Sequence, residues 1–317
     1  MEIFFSTLES VITLFGIGIL GFWIVARKIV PASIMEVIPP LAIDIALPCL
    51  IFANIIKGFD PGANPGWWKL PLWWLAFTAM AAAVTLGAMH TVKRRYRREF
   101  GMSLFYQNAT FLPLGIISGL YGIDSPLIGG LFIFAMFYPA FFFNTYYLFF
   151  PGGDRGGRRG LDWQKILNPV LVATAVALLV RMSGAHLHVP AFVTGITDSV
   201  GKMTIPLIML IIGGTIYIDY QQKGTLHLRE MLQFVLFKNL VLPTVTLGAL
   251  ALLRPTYGVA LIIMLQAATP PVSAAPIVTE RAGGDRTIVN QFMVASYLAS
   301  LLTIPAALWL FHRFFVP

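Results

Sequence analysis

Charge is what this chain has least of. Only 11% of its 317 residues are Asp, Glu, Lys or Arg, against about 25% in a soluble domain. That scarcity excludes a water-soluble globule of this size. Cysteine is scarcer still: the single Cys49 excludes an internal disulfide and leaves the redox compartment unread. A hydrolase or transferase needs a nucleophile and a base within reach of each other. Cys49 is solitary, and His90 is the one histidine placed toward mid-span, which argues against an enzyme. No basic region precedes the first apolar run, so the N-terminus reads as a first span and not as a cleaved signal peptide. Long hydrophilic stretches are missing too. The longest runs from Pro151 to Gly160 and is made of glycine and arginine.

What remains is apolar: 57% of the residues are hydrophobic. At ~20 residues per span the tracts divide into ten, at 5–26, 32–56, 71–92, 103–121, 125–150, 165–183, 190–217, 229–253, 257–280 and 287–315. The fold class expected is an all-α polytopic membrane protein. The net charge of +8 invites a nucleic-acid reading, but its distribution argues for topology. Fifteen Lys and Arg fall in the connections after odd-numbered spans and five on the opposite side. The positive-inside rule then puts both termini outside, in a cell membrane of bacterial inner-membrane type. The basic clusters face water or lipid headgroups.

The chain contains itself twice. Val84-Thr-Leu-Gly-Ala88 recurs as Val245-Thr-Leu-Gly-Ala249. Asp44 precedes Pro48 by the same four residues that separate Lys202 from Pro206, and Asn108 precedes Pro113 as Gln266 precedes Pro271. These matches divide the chain into 1–150, a connecting loop 151–164, and 165–317, with five spans in each repeat. An odd number of spans inverts the second copy in the membrane, an arrangement that puts a carrier's site near the midplane.

Proline marks that site. Pro270, Pro271 and Pro276 cannot share one unbroken helix, and backbone groups freed at membrane depth need partners in the protein or a polar cavity. The repeat identifies their counterpart as Pro113, so helices four and nine are expected to break and cross. Asn108 and Gln266 stand beside the two breaks. As primary amides they either donate to a carboxylate or tie helices together at ~0.6 kcal/mol per bond. Thr110, Thr269 and Ser273 add hydroxyls, which equally bond their own helix. Asn54 and Asn144 are minor polar candidates.

Ionisable residues within spans are functional candidates by default. Asp44 and Lys202 occupy equivalent places with opposite sign. They either pair or share a water-filled vestibule, with Lys202 attracting an anion and Asp44 carrying a proton. Asp198, one turn before Lys202, is a competing partner. Lys238 reads as a snorkelling side chain. Gly16-x-Gly18-x-x-Gly21 has no preceding strand, so it is close-packing glycine and not a dinucleotide loop. Gly213-Gly214 and Gly115-x-x-x-Gly119 read the same way. His186-x-His188 lacks a third metal ligand. The loop 152–160 reads as a flexible tether, and Trp67, Trp68, Trp73 and Trp74 as an aromatic belt.

Several of these segments resemble the auxin efflux carrier family, in its bacterial malate or malonate permease branch. They are Leu47-Pro48-Cys-Leu50-Ile51-Phe52, Asn108-Ala-Thr-Phe111-Leu112-Pro113-Leu, Asn168-Pro169, Pro206-Leu207 through Gly213-Gly214, and Pro270-Pro271 through Glu280. The chain departs from the pattern after Asn108, where glycine is common, and at Ser273, where asparagine is common. The resemblance implies a ten-span inverted-repeat carrier. Spans 1, 2, 6 and 7 would form a scaffold, and spans 3–5 and 8–10 a moving transport domain. The crossing would take an organic anion, with Asn108 as a polar contact. Elevator-type movement and a homodimer are implied, with no cofactor and no nucleic acid. A related fold occurs in sodium-coupled bile-acid symporters, so proton and sodium coupling both stay open. A ligand sensor that moves nothing is the remaining alternative.

Overall fold

The computed structural model describes residues 2–31, 33–151, 167–221 and 225–315. The expected tether at 152–160 lies outside them. Among the described residues every regular element is a helix. The isolated antiparallel bridge between Gln107 and Pro271 is the sole β-type pairing. Seven helical stretches are long and apolar enough to cross a membrane: Glu2–Ala26, Val37–Gly58, Trp67–Met89, Pro126–Phe149, Ala191–Asp219, Leu228–Leu253 and Arg286–Phe315. Three shorter apolar helices, Phe111–Tyr121, Pro169–Met182 and Tyr257–Ala268, accompany them.

In chain order the α-helices are α1 (Glu2–Ala26), α2 (Ile34–Pro40), α3 (Leu47–Gly58), α4 (Leu70–Met89), α5 (Arg97–Phe105), α6 (Phe111–Tyr121), α7 (Pro126–Ala135) and α8 (Tyr138–Thr145). They continue as α9 (Pro169–Met182), α10 (Ala191–Gly201), α11 (Thr204–Tyr220), α12 (Leu228–Val235), α13 (Leu242–Leu253), α14 (Tyr257–Ala268), α15 (Ala275–Arg281) and α16 (Arg286–Phe315). Proline decides where many of them are interrupted. Two π-helical turns, Leu41–Ala46 and Leu236–Val241, each end two residues before a proline, Pro48 and Pro243. A proline ring clashes with the carbonyl four residues back. Widening that turn to i→i−5 bonding moves the carbonyl aside; Leu47 N–H bonds Ala42 and Leu242 N–H bonds Phe237.

Helix α1 is central to the packing, lying against α11, α6 and α16. Toward α11 the contact is backbone on backbone: a Cβ on Gly213 would land on the Gly18 carbonyl, and one on Gly21 would strike the Leu210 backbone. Toward α6, Gly115 meets the Leu14 side chain, and Gly119 meets first the Ser10 side chain, with the Ser10 Cα farther off. The expected glycine seam is present, although Gly16 faces open space. Trp74 departs from the expected belt, because it is buried in the core while Trp68 stays exposed.

Candidate functional site: the helix crossing

Helix α5 stops at Phe105 and α6 begins at Phe111; α14 stops at Ala268 and α15 begins at Ala275. The two irregular segments lie antiparallel. Asn108 N–H donates to the Pro270 carbonyl at 2.8 Å, and Val272 N–H to the Tyr106 carbonyl at 3.0 Å. Pro271 has no N–H to extend the pairing, so the contact stays a single bridge. In this way each break supplies partners for backbone groups that hydrocarbon would leave unpaired, at a cost of several kcal/mol per group.

Side chains complete the accounting. Gln266 Nε2 donates to the Ala109 carbonyl at 2.6 Å. The Thr269 hydroxyl lies within reach of the Asn108 carbonyl at 3.2 Å and of Gln266's at 3.1 Å. Tyr138 donates from its hydroxyl to the Gln107 carbonyl at 2.6 Å. Asn108 turns back on its own chain: Oδ1 accepts from the Phe111 and Leu112 N–H groups at 3.0 and 3.3 Å, while Nδ2 donates to the Tyr297 hydroxyl at 3.2 Å. Asn108 therefore occupies the first two backbone donors of α6. Pro113 has none to offer, and Leu114 N–H bonds Thr110.

Asn108, Gln266 and Thr269 are all buried, as are Pro113, Pro270 and Pro271, whereas Thr110 and Ser273 are partly exposed. No hydrogen bond of the Thr110 or Ser273 hydroxyl occurs among the described residues. Gln266 Oε1 is buried without a partner. The crossing thus holds two amides committed first to the protein and two hydroxyls with capacity to spare.

The charged candidates sit elsewhere. Asp44 is exposed on the isolated chain within the Leu41–Ala46 turn and makes no ion pair among the described residues. Lys202, also exposed, pairs with Asp198 at 2.7 Å, and Asp198 in turn meets Lys57 at 3.3 Å. Of the arrangements left open, the direct Asp44–Lys202 pair does not form, and the competing i,i+4 neighbour Asp198 takes Lys202 instead. The snorkelling expected of Lys238 is overturned. Its side chain is 0% exposed and Nζ has no partner; it lies on a buried stripe at four-residue spacing with Phe234, Leu242, Thr246 and Leu250. Asn54 bonds back to Leu50 at 3.1 Å and Asn144 to Ala140 at 2.8 Å, each within its own helix. Among the described residues no group of three or more His, Cys, Asp or Glu gathers as a metal site.

A cavity of about 830 Å³ opens among Trp67, Lys69, Trp73, Arg254 and Tyr257. None of the crossing residues lines it, so it is a separate feature at the ends of α4 and α13. A model of the family described as membrane transport protein matches residues 6–154 and 159–309. The chain belongs to that family. It is the family of the auxin efflux carriers that the motifs resembled. Comparison with curated proteins finds no match.

Within this membrane transport protein, sequence reasoning missed the two tyrosines that close the crossing. Tyr138 and Tyr297 lie in aromatic-rich spans where a phenol looks like core or belt. The stripe Ser296, Ser300, Thr303 on α16 was a readable signal, being polar at helical spacing in an apolar run. All three hydroxyl-bearing residues surround Asn239: its Nδ2 donates to the Ser296 carbonyl, Ser300 and Thr303 at 3.2, 3.0 and 3.2 Å. A further network is the Arg286 guanidinium between Asp219 and Glu280, which ties α11 to α15 and α16.

Proposed function

We propose that this membrane transport protein is a secondary active carrier of small organic anions: carboxylates such as malate, malonate or auxin-like acids. One observation carries the reading: a pair of mid-helix breaks, one in each half, stitched together and flanked by partly exposed hydroxyls. Broken helices lend backbone dipoles and polar groups to a substrate where unbroken ones cannot. Ser273 and Thr110 make the first contacts with the carboxylate. The remaining N–H groups of Asn108 and Gln266 stand behind them, and Pro113, Pro270 and Pro271 keep the breaks open. Because Asn108 caps α6, the dipole of that half-helix acts on the anion through the cap and not through bare N–H groups.

The architecture that goes with this function has ten spans in two inverted repeats. The scaffold of spans 1, 2, 6 and 7 stays fixed while the crossing moves by elevator-type alternating access. The carrier works as a homodimer with both termini outside. Backbone contact of α1 with α11, against side-chain contact of α1 with α6, supports a division into a stiff part and a sliding part.

The test is uptake of labelled malonate, malate and indole-3-acetate by proteoliposomes, with pH and sodium gradients imposed separately. Saturable uptake with counterflow is expected for at least one of them. Binding without counterflow identifies a sensor, and uptake that requires sodium shifts the reading to a symporter of the bile-acid type. Absence of both binding and uptake removes the anion-carrier reading.

A further inference from the structure

Lys238 is the one lysine that the chain encloses completely among the described residues. Its Nζ touches no hydrogen-bonding partner and no carboxylate pairs with it. A bare ammonium in such a place is strongly disfavoured, whereas a neutral amine is tolerated. Nor is the location incidental. The residue sits in a π-helical turn, Leu236–Val241, a geometry that recurs at functional positions in helices. That turn packs on α14, which carries Gln266, and on α16, which carries Tyr297. Its next residue, Asn239, bonds the Ser296 carbonyl, one position from the tyrosine that Asn108 holds.

The other ionisable groups on neighbouring elements are already occupied or lie toward helix ends. On α12, Glu230 is held by Lys93, and Arg229 is at the helix start. On α16, Arg286 pairs with Asp219 and Glu280, Tyr297 bonds Asn108, Arg313 covers Trp309, and His312 lies in the last turn. On α14, Tyr257 bonds Tyr121. Helix α5 reaches the turn through the Phe100–Phe237 ring contact; its Glu99 accepts from Asp285 N–H and its Arg97 donates to the Val92 carbonyl, with Arg98 beside it in the first turn. Among the described residues Glu99 meets no cation and its Oε2 is buried without a partner, but it lies in the first turn of α5 and makes no ion pair with Lys238.

We propose that Lys238 is a proton-binding site coupled to anion binding at the crossing. It is neutral in the empty carrier and takes up one proton as a carboxylate arrives. The incoming anion supplies the counter-charge that the protein withholds, and in a low-dielectric interior that attraction acts over the span between them. Linkage makes the effect reciprocal: if anion binding favours the proton, the proton favours the anion. One negative charge and one proton then cross together. This inference rests on the anion-carrier reading above.

The experiment measures proton uptake on binding by the purified full-length protein. Malonate, malate and indole-3-acetate are added in weakly buffered, mildly alkaline solution containing an indicator dye, and binding is followed by calorimetry. Wild type is expected to take up about one proton per anion bound, and its affinity to weaken by up to about tenfold per pH unit on the alkaline side. Lys238→Met should bind without proton uptake and with a flat pH profile, and Lys238→Gln serves if the methionine variant aggregates. Binding without proton uptake in wild type, or equal uptake in the variants, overturns the proton site and leaves the carrier reading standing. Failure of wild type to bind any of the three overturns the carrier reading, and this inference with it.

Discussion

The two breaks at the crossing are equivalent by sequence and unequal by structure. The first closes on itself. Asn108 caps α6, and the tyrosine hydroxyls of α8 and α16 hold its flanks. The second has no side-chain cap on α15 and spends its polar groups on its neighbour, through Gln266 and Thr269. Val272, Ser273 and Ala274 are left partly exposed. One break is therefore a built platform and the other an open edge. The difference teaches that a repeat keeps the place where a helix is interrupted more readily than the way the interruption is satisfied.

Asn108→Ala should have the largest effect on this contrast. It removes the α6 cap, typically worth ~1 kcal/mol, and strands buried donors at about 1–3 kcal/mol more. The melting temperature in detergent should fall by several degrees and uptake should be lost. A variant that melts like wild type would show that the first break is not self-capped. Gln266→Leu comes next, because it leaves the Ala109 carbonyl unpaired at about 1–3 kcal/mol. Here the expected signature is faster hydrogen exchange at both breaks, since the stitch joins them. Thr269→Val keeps the shape and removes one hydroxyl, so a loss of about 0.6 kcal/mol is expected, read as a small shift in the same melt.

Ser273→Ala should reverse the pattern: stability within about 0.5 kcal/mol of wild type, but a clear rise in the KM for anion uptake. If Thr110→Val raises KM as much as Ser273→Ala does, the two breaks serve the substrate equally and the asymmetry has no functional meaning. The smallest effect is expected from Asp44→Asn, since that carboxylate is exposed and makes no ion pair among the described residues. Proton-driven uptake should be unchanged, and a loss of it would return Asp44 to the coupling site.

Much of this is legible in the order of the residues. The prolines locate both breaks, the offset between Asn108 and Gln266 matches them, and the glycines of α1 announce close packing. The motifs point to the family. What stays hidden is direction. Spacing puts Asn108 beside a break but does not say that its oxygen turns back to the Phe111 and Leu112 N–H groups. Lys238 has the stem to reach an interface, yet it falls on the buried stripe of Phe234, Leu242, Thr246 and Leu250, which a reading of the lysine by itself misses. The match between Asp44 and Lys202 is real as a pattern, yet Asp198 lies one turn away and needs no tertiary contact to reach the lysine. The phenols of Tyr138 and Tyr297 carry no periodicity that separates a structural hydroxyl from an aromatic core.

The glycines on the two sides of α1 also set a mechanical property. Where Gly18 and Gly21 meet α11, main chain abuts main chain, and no rotamer can relax to absorb a displacement. Where Gly115 and Gly119 meet α1, the opposing groups are the tips of Leu14 and Ser10, which can swing aside and return. A load placed on this helix would therefore meet a stiff flank toward α11 and a more yielding one toward α6.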